Sequence, residues 1–326
     1  MSKERYLVLG SNSNAGNHFV SHCIKNKIAV FSTSRSEMNS EKYLADRDVI
    51  NAPYLKLDIN ENLSDLIKII TDFKPTIVIN FSSQSMVAES WENPQHWIKT
   101  NISSTLSLYQ ILAKQSLSKY IHFSTPEVYG NASGEVNEMH FYNPSTPYAV
   151  TRACGDMFAK IWCNQYNLPI VITRAANVYG EGQKLYRIIP KTIYSLQNGI
   201  KIPLHGGGLT RRSFIHSADV AQALEILSKK GIVGETYHIV GENYLSIRQL
   251  VEIICNKMGF RFDDVIVVGP ERPGKDLDYS LSCLKLKKLD WYPNISLESG
   301  IVRMISWFKK NQNKFDVSEL NYNHTA

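Results

Sequence analysis

The sequence predicts an α/β protein built on a doubly wound parallel sheet (Rossmann), with a second, smaller C-terminal substrate domain. Two observations carry this expectation. Short β-branched runs alternate with helical patterns through the first half, which implies parallel strands joined by right-handed crossovers. After about residue 176 that alternation breaks up, and Gly206–Gly208, Pro190, Pro203, Pro270 and Pro273 punctuate shorter elements.

Taken in order, the strand candidates are 6–9, 28–31, 54–57, 76–81, 120–124 and 170–173. Between them lie helical stretches. The one over 97–113 has apolar residues at 98, 102, 106, 108, 109, 112 and 113, close to a 3.6-residue period. The expected division is a dinucleotide-binding domain over 1–176 and a second domain over 177–326, with segments of the latter returning to the first. The tail from Lys309 onward is polar enough to suggest fraying.

With 326 residues, 43% of them hydrophobic and 20% charged, the chain can bury a large core. No window approaches the roughly 18 apolar residues of a membrane span, and the start shows no signal-peptide pattern, so the expected location is cytoplasmic. Five widely spaced cysteines suit neither a disulfide framework nor a zinc knuckle. The formal charge of +6 is spread along the chain rather than gathered in a block, which fits a small anionic ligand better than a nucleic acid. The histidines show no metal-binding spacing, and no metal is expected.

In an open parallel sheet, ligands bind beyond the carboxyl ends of the strands. Strand one is followed by Gly10, Ser11, Asn12, Ser13, Asn14, Ala15 and Gly16. Glycines at 10 and 16 would form a tight turn and a close helix contact, aiming helix N-terminal amides at a pyrophosphate. The middle glycine of a dinucleotide fingerprint is replaced by Ser13, while Asn12 and Asn14 tolerate left-handed backbone. Strand two runs into Ser34 and Arg35, with no acid until Glu37. A guanidinium suits a 2′-phosphate, so NADP is expected, with NAD the alternative.

Tyr148 and Arg152 stand four residues apart in a helical stretch, on one face. A cation there is expected to lower the phenol pKa from about 10 and make Tyr148 a usable base. Upstream, STPEVYG (124–130) ends a hydrophobic strand with a lone carboxylate, Glu127.

Together these residues resemble the extended short-chain dehydrogenase/reductase family and, within it, the nucleotide-sugar 4,6-dehydratases. The resemblance covers nearly the whole chain: the 10–16 turn, LKLDIN, NFSSQSMVAES (80–90), Thr100-Asn101, STPEVYG, PYAVTRA, RAANVYG (174–180), RSFIHSADVA (212–221) and ERPGKD (271–276). It implies that Tyr148 takes the proton of the sugar C4 hydroxyl, that Thr125 orients that oxygen and that Glu127 is the general base at C5. It implies further cofactor contacts from Asp58, Ile59, Phe81, Ser82 and Ser83. Arg152 stands where the family normally has lysine; it can supply charge and ribose hydrogen bonds but cannot relay a proton.

The resemblance also implies substrate contacts from Ser85, Asn177, Arg187, Arg212 and Arg272, and a homodimer or higher homo-oligomer in which the helices over 97–113 and 148–166 pack into an intersubunit four-helix bundle. Pro126 replaces the aspartate that protonates the leaving hydroxyl in dTDP-glucose dehydratases. GDP-mannose dehydratases also lack that aspartate, and Gln84-Ser85 resembles their Gln-Ser, so a GDP-linked hexose is expected over dTDP-glucose. A 4-epimerase or reductase of the same family, or a non-catalytic NADP-binding sensor, are the alternatives. The epimerase and the reductase do not need Glu127.

Overall fold

The structure is a computed structural model that describes residues 4–132, 134–270 and 280–325. Seven parallel strands form the central sheet: β1 (Arg5–Leu9), β2 (Ala29–Ser34), β3 (Tyr54–Lys56), β4 (Ile77–Asn80), β5 (Lys119–Ser124), β6 (Ile170–Ala175) and β7 (Thr236–Ile239). Their spatial order is β7-β6-β5-β4-β1-β2-β3, so the winding reverses between β1 and β4 and opens a crevice at their carboxyl ends. This is a Rossmann sheet.

Apart from the edge strand β3, the strands are largely buried on both faces, which explains their near-continuous apolar runs. Alternation within β1 divides its side chains between two cores. Tyr6 and Val8 pack with α1 (Asn14–Lys25), while Leu7 and Leu9 pack with α2 (Leu63–Phe73) on the opposite face.

The helix expected over 97–113 is three pieces: α3 (Pro94–Ile98), a π-helical stretch (Lys99–Ser104) and α4 (Thr105–Leu112). Within the widened turn Asn101 is buried. Its side chain accepts from the Gln84 amide at 2.9 Å and donates to the Gln84 carbonyl at 3.0 Å and to Thr151 Oγ1 at 3.0 Å. A π-turn is a frequent mark of a functional site. Here it locks the loop after β4 to α5 (Pro147–Tyr166).

Past residue 176 the chain serves two cores. α6 (Ile188–Gln197), α8 (Ile247–Met258) and α9 (Leu297–Asn311) build a separate cluster around Ile189, Ile193, Leu250, Ile254, Ile301 and Phe308. α7 (Ser217–Lys230) instead packs on α1, and β7 completes the edge of the main sheet. The tail does not fray as its polarity suggested. Residues Val317–Leu320 form a capped 3-10 turn, and Leu320 is buried in the second core. No helix among the described residues is long and apolar enough to cross a membrane.

Candidate active site

The first turn of the crevice is built by close backbone approach. Gly10 has φ +76°, and a Cβ there would lie 2.7 Å from the Ser82 amide nitrogen; one at Gly16 would lie 2.7 Å from the Gly10 carbonyl oxygen. Only glycine meets both demands at position 10. Ser13, in place of a middle glycine, is the N-cap of α1. Its hydroxyl accepts from the Gly16 amide at 3.1 Å and donates to the Gly10 carbonyl at 2.8 Å. The cradle therefore fits a pyrophosphate at a helix N-terminus, with a rotatable hydroxyl at the amide a phosphate would meet.

The flanking asparagines act as ties. The Asn12 amide nitrogen donates to Ser36 Oγ at 2.9 Å and to the Glu37 carbonyl at 2.7 Å, joining this turn to the loop after β2. Asn14 donates to the Glu181 carbonyl at 2.9 Å and accepts from Ser217. Ser34 is buried, and its hydroxyl accepts from the Asn12 amide at 3.2 Å. Arg35 is exposed at the end of β2 and is bonded to Thr325.

Thr125, directly after β5, is the N-cap of a 3-10 turn over Pro126–Tyr129, its hydroxyl accepting from the Glu127 amide at 3.3 Å. Proline at the first position of that turn is pre-organised for it, which gives Pro126 a local reason independent of chemistry. Tyr148 and Arg152 are both buried, one turn apart on α5. Arg152 donates to the Phe123 carbonyl at the end of β5.

Arg152 does pull the Tyr148 pKa down, but the expected net fall below the ordinary value is corrected. Burial raises the pKa, and Arg152, the Thr125 hydroxyl and Arg187 pull it down, while Glu127 adds to the rise; the net direction is upward. Desolvation of the phenolate outweighs one guanidinium. The same balance shows that Glu127, Thr125, Arg152 and Arg187 all sit within electrostatic reach of the phenol.

One cavity of about 790 Å³ gathers these groups. Its walls include Gly10, Asn12, Ser13, Asn14, Ser34 and Arg35 at one end, then Asp58, Ile59, Phe81, Ser82, Ser83 and Ser85, then Thr125, Glu127, Tyr148 and Arg152. Asn177, Arg187 and Arg212 line the other end. Gly16 lies behind the turn as a packing residue. Arg272 falls outside the described residues, as does the rest of ERPGKD. Among the described residues no group of three or more His, Cys, Asp or Glu is placed to hold a metal ion.

Lys184 and Tyr322 are among the wall residues not singled out from the sequence. Lys184 lies 3.5 Å from the Tyr43 ring centroid, and burial pushes its ammonium down to about 8, with Glu319 opposing the fall. Tyr322 reaches the wall from the tail. Neither sits in a motif. The signal for Tyr322 was the alternation Leu320, Tyr322, His324.

A sheet that reverses between β1 and β4, with a glycine cradle there and a Tyr-x-x-x-Arg helix beside a threonine and a carboxylate, defines a nucleotide-dependent short-chain dehydrogenase/reductase site. The chain belongs to the NAD dependent epimerase/dehydratase family, whose model matches residues 6–240. It is similar to a dTDP-glucose 4,6-dehydratase of Streptomyces niveus, 32% identical over 72% of this chain and 70% of that one. A dTDP-glucose 4,6-dehydratase of Neisseria gonorrhoeae is 28% identical over 96% of this chain and 97% of its own. Among solved structures, the Streptomyces venezuelae dTDP-glucose 4,6-dehydratase DesIV with NAD bound superposes with TM-score 0.87 at 27% identity, covering 96% of this chain and 99% of that one. A UDP-glucose 4-epimerase of Thermotoga maritima with UDP-glucose superposes equally well, at 0.87 and 26% identity over 94% of this chain and 99% of the other.

Proposed function

We propose that this chain is a nucleotide-diphosphate-hexose 4,6-dehydratase that forms a 4-keto-6-deoxy sugar nucleotide. The observation that carries the reading is the presence of Glu127, Thr125 and Tyr148 in one cavity wall, between the glycine cradle and the cationic end. An epimerase or reductase has no use for the Glu127 carboxylate.

When bound, the dinucleotide accepts a hydride from sugar C4 and later returns it to C6. Tyr148 takes the C4 hydroxyl proton, with the Thr125 hydroxyl and the Arg152 charge stabilising its phenolate. The C4 ketone acidifies the C5 hydrogen, which Glu127 removes as general base while water leaves from C6. After that proton has left with the water, Glu127 takes up a second one from solvent, matching the one Tyr148 gives up, and delivers it to C5. With Pro126 in place of an acid, we assign protonation of the departing hydroxyl to Glu127, relayed by Ser124. The Ser124 hydroxyl is buried in the same wall with no hydrogen-bond partner among the described residues.

The cofactor reading is NADP, supported by Ser34 and Arg35 and by the lack of an acid immediately after β2; NAD is the second reading, supported by the NAD in DesIV. For the substrate, the relatives that cover nearly the whole chain are named for dTDP-glucose, which makes a dTDP-linked hexose the first compound to test. The buried Gln84 beside Ser85 supports a GDP-linked hexose as the second. Arg187 and Arg212 at the far wall supply the positive charge that a buried diphosphate requires.

We read the protein as a cytoplasmic homodimer. Val150, Met157 and Ile161 form an exposed apolar row along α5, the face an intersubunit helix bundle would cover.

The test is incubation of purified protein with dTDP-glucose, GDP-mannose, GDP-N-acetylglucosamine and UDP-N-acetylglucosamine, following product mass. Loss of one water supports the dehydratase. An unchanged mass with a new sugar configuration supports the epimerase, and dinucleotide binding without turnover supports a sensor.

A further inference from the structure

The tail does more than pack. Asn321, just past the 3-10 turn, has extended backbone, and burial alternates: Leu320 is buried, Tyr322 and His324 half-buried, and Asn321, Asn323 and Thr325 exposed. Such alternation is that of a strand lying flat on a surface. The surface is the mouth of the cavity.

The ribbon is held on both lips. Glu319 accepts from Lys42 at 2.8 Å and from the Tyr43 hydroxyl, and the Leu320 carbonyl accepts from Lys191 at 3.3 Å. The Tyr322 ring meets Tyr186 edge-on, with centroids 5.0 Å apart. His324 stacks on Trp97 at 4.8 Å and shares a 2.8 Å hydrogen bond with His96. Thr325 reaches the end of β2: its hydroxyl accepts from Arg35 Nη2 at 2.7 Å, and its carbonyl accepts from Arg35 Nη1 at 3.2 Å and from Gln84 Nε2 at 3.0 Å.

A phosphate pairs with arginine through two parallel N–H groups. The Nη1/Nη2 edge of Arg35 is one such fork, and Thr325 spans it. A ligand that brings a phosphate to this guanidinium must displace Thr325, while one that brings only a hydroxyl need not. We infer that residues 320–325 form a strap that competes with the 2′-phosphate of NADP for Arg35, so that docking of the strap sets the preference between NADP and NAD. This rests on the reading of Arg35 as the cation at the adenosine ribose.

The experiment compares the full chain with a variant ended at Asn321, which keeps Leu320 in the second core and Glu319 on Lys42. NADP+ and NAD+ affinities are measured by fluorescence titration for both proteins. Removing an exposed charge-assisted fork contact is expected to tighten NADP+ by about tenfold and NAD+ by less than about twofold. His324→Ala, which loosens the strap without deleting it, is expected to act in the same direction to a smaller extent. Firm NAD+ binding with NADP+ affinity equal or weaker in the shortened chain overturns the strap alone. Binding of neither dinucleotide to either protein overturns the dinucleotide reading, and the strap falls with it.

Discussion

Tyr148 and Arg152 stand one turn apart on α5, both buried, and the phenol nonetheless titrates above its ordinary value because burial outweighs the neighbouring guanidinium. Arg152 is therefore a counterweight: without it the phenol would rise further. Replacing Arg152 with Met should move the acid limb of the pH profile of kcat/KM upward by about one unit and cost about tenfold at neutral pH. Arg152→Lys should keep the limb near its original place. A Met variant with an unshifted profile would remove Arg152 from the electrostatics of the base.

Glu127 acts on the same phenol with the opposite sign, raising its pKa. Glu127→Gln should thus leave sugar oxidation in place, with an acid limb shifted down, while water loss falls by about 10²–10⁴-fold. Product mass and dinucleotide absorbance, followed together, separate the two steps. Dehydration at the original rate would end the assignment of the C5 base.

Beneath the site, Arg174 on β6 and Asp156 on α5 form an ion pair at 2.7 Å, and both are almost wholly buried. Tyr129 and Tyr142 accept further hydrogen bonds from the guanidinium. Asp156→Asn leaves the cation uncompensated and should cost about 3–5 kcal/mol, read as a fall in urea midpoint at constant m. In the double variant with Arg174→Met the loss should be smaller than the sum of the two single losses.

Three buried histidines make stability depend on pH. Burial pushes His18 down to about 4, and His122 and His238 to about 3, from an ordinary value of 6.5. Below pH 6.5 the unfolded chain takes up protons that the folded chain refuses, so stability is full above that value and is lost as pH falls toward 4 and 3. Glu181, held down to about 2 by the hydrogen bond and charge of His216 against the opposing effect of burial, adds a loss that begins below 4.5. Urea midpoints measured from pH 7 to 4 should fall throughout, and His238→Gln should flatten the curve. A midpoint unchanged between pH 7 and 5 would contradict this.

The grouping of the candidate residues in one cavity wall was largely legible because its parts are contiguous in the chain. Thr125 and Glu127 lie two apart on one turn, Tyr148 and Arg152 four apart on one helix, and Gly10 and Gly16 bracket another turn. Local geometry brings each group together before any packing is considered. The π-helical stretch at Lys99–Ser104 was not legible, because the widened turn serves a contact with Gln84, which is seventeen residues from Asn101. Lys184 was missed for a similar reason. An isolated lysine acquires its lowered pKa only from the walls around it.

By itself the sequence determined the parallel sheet, since runs apolar on both faces can be buried only between helix layers, and it determined which side chains end the strands. Tertiary packing alone decided the sign of the Tyr148 shift and the course of the tail. Both are sums over groups brought together from distant parts of the chain: desolvation depends on everything that covers the phenol, and a polar ribbon is ordered only when two lips stand close enough to hold it.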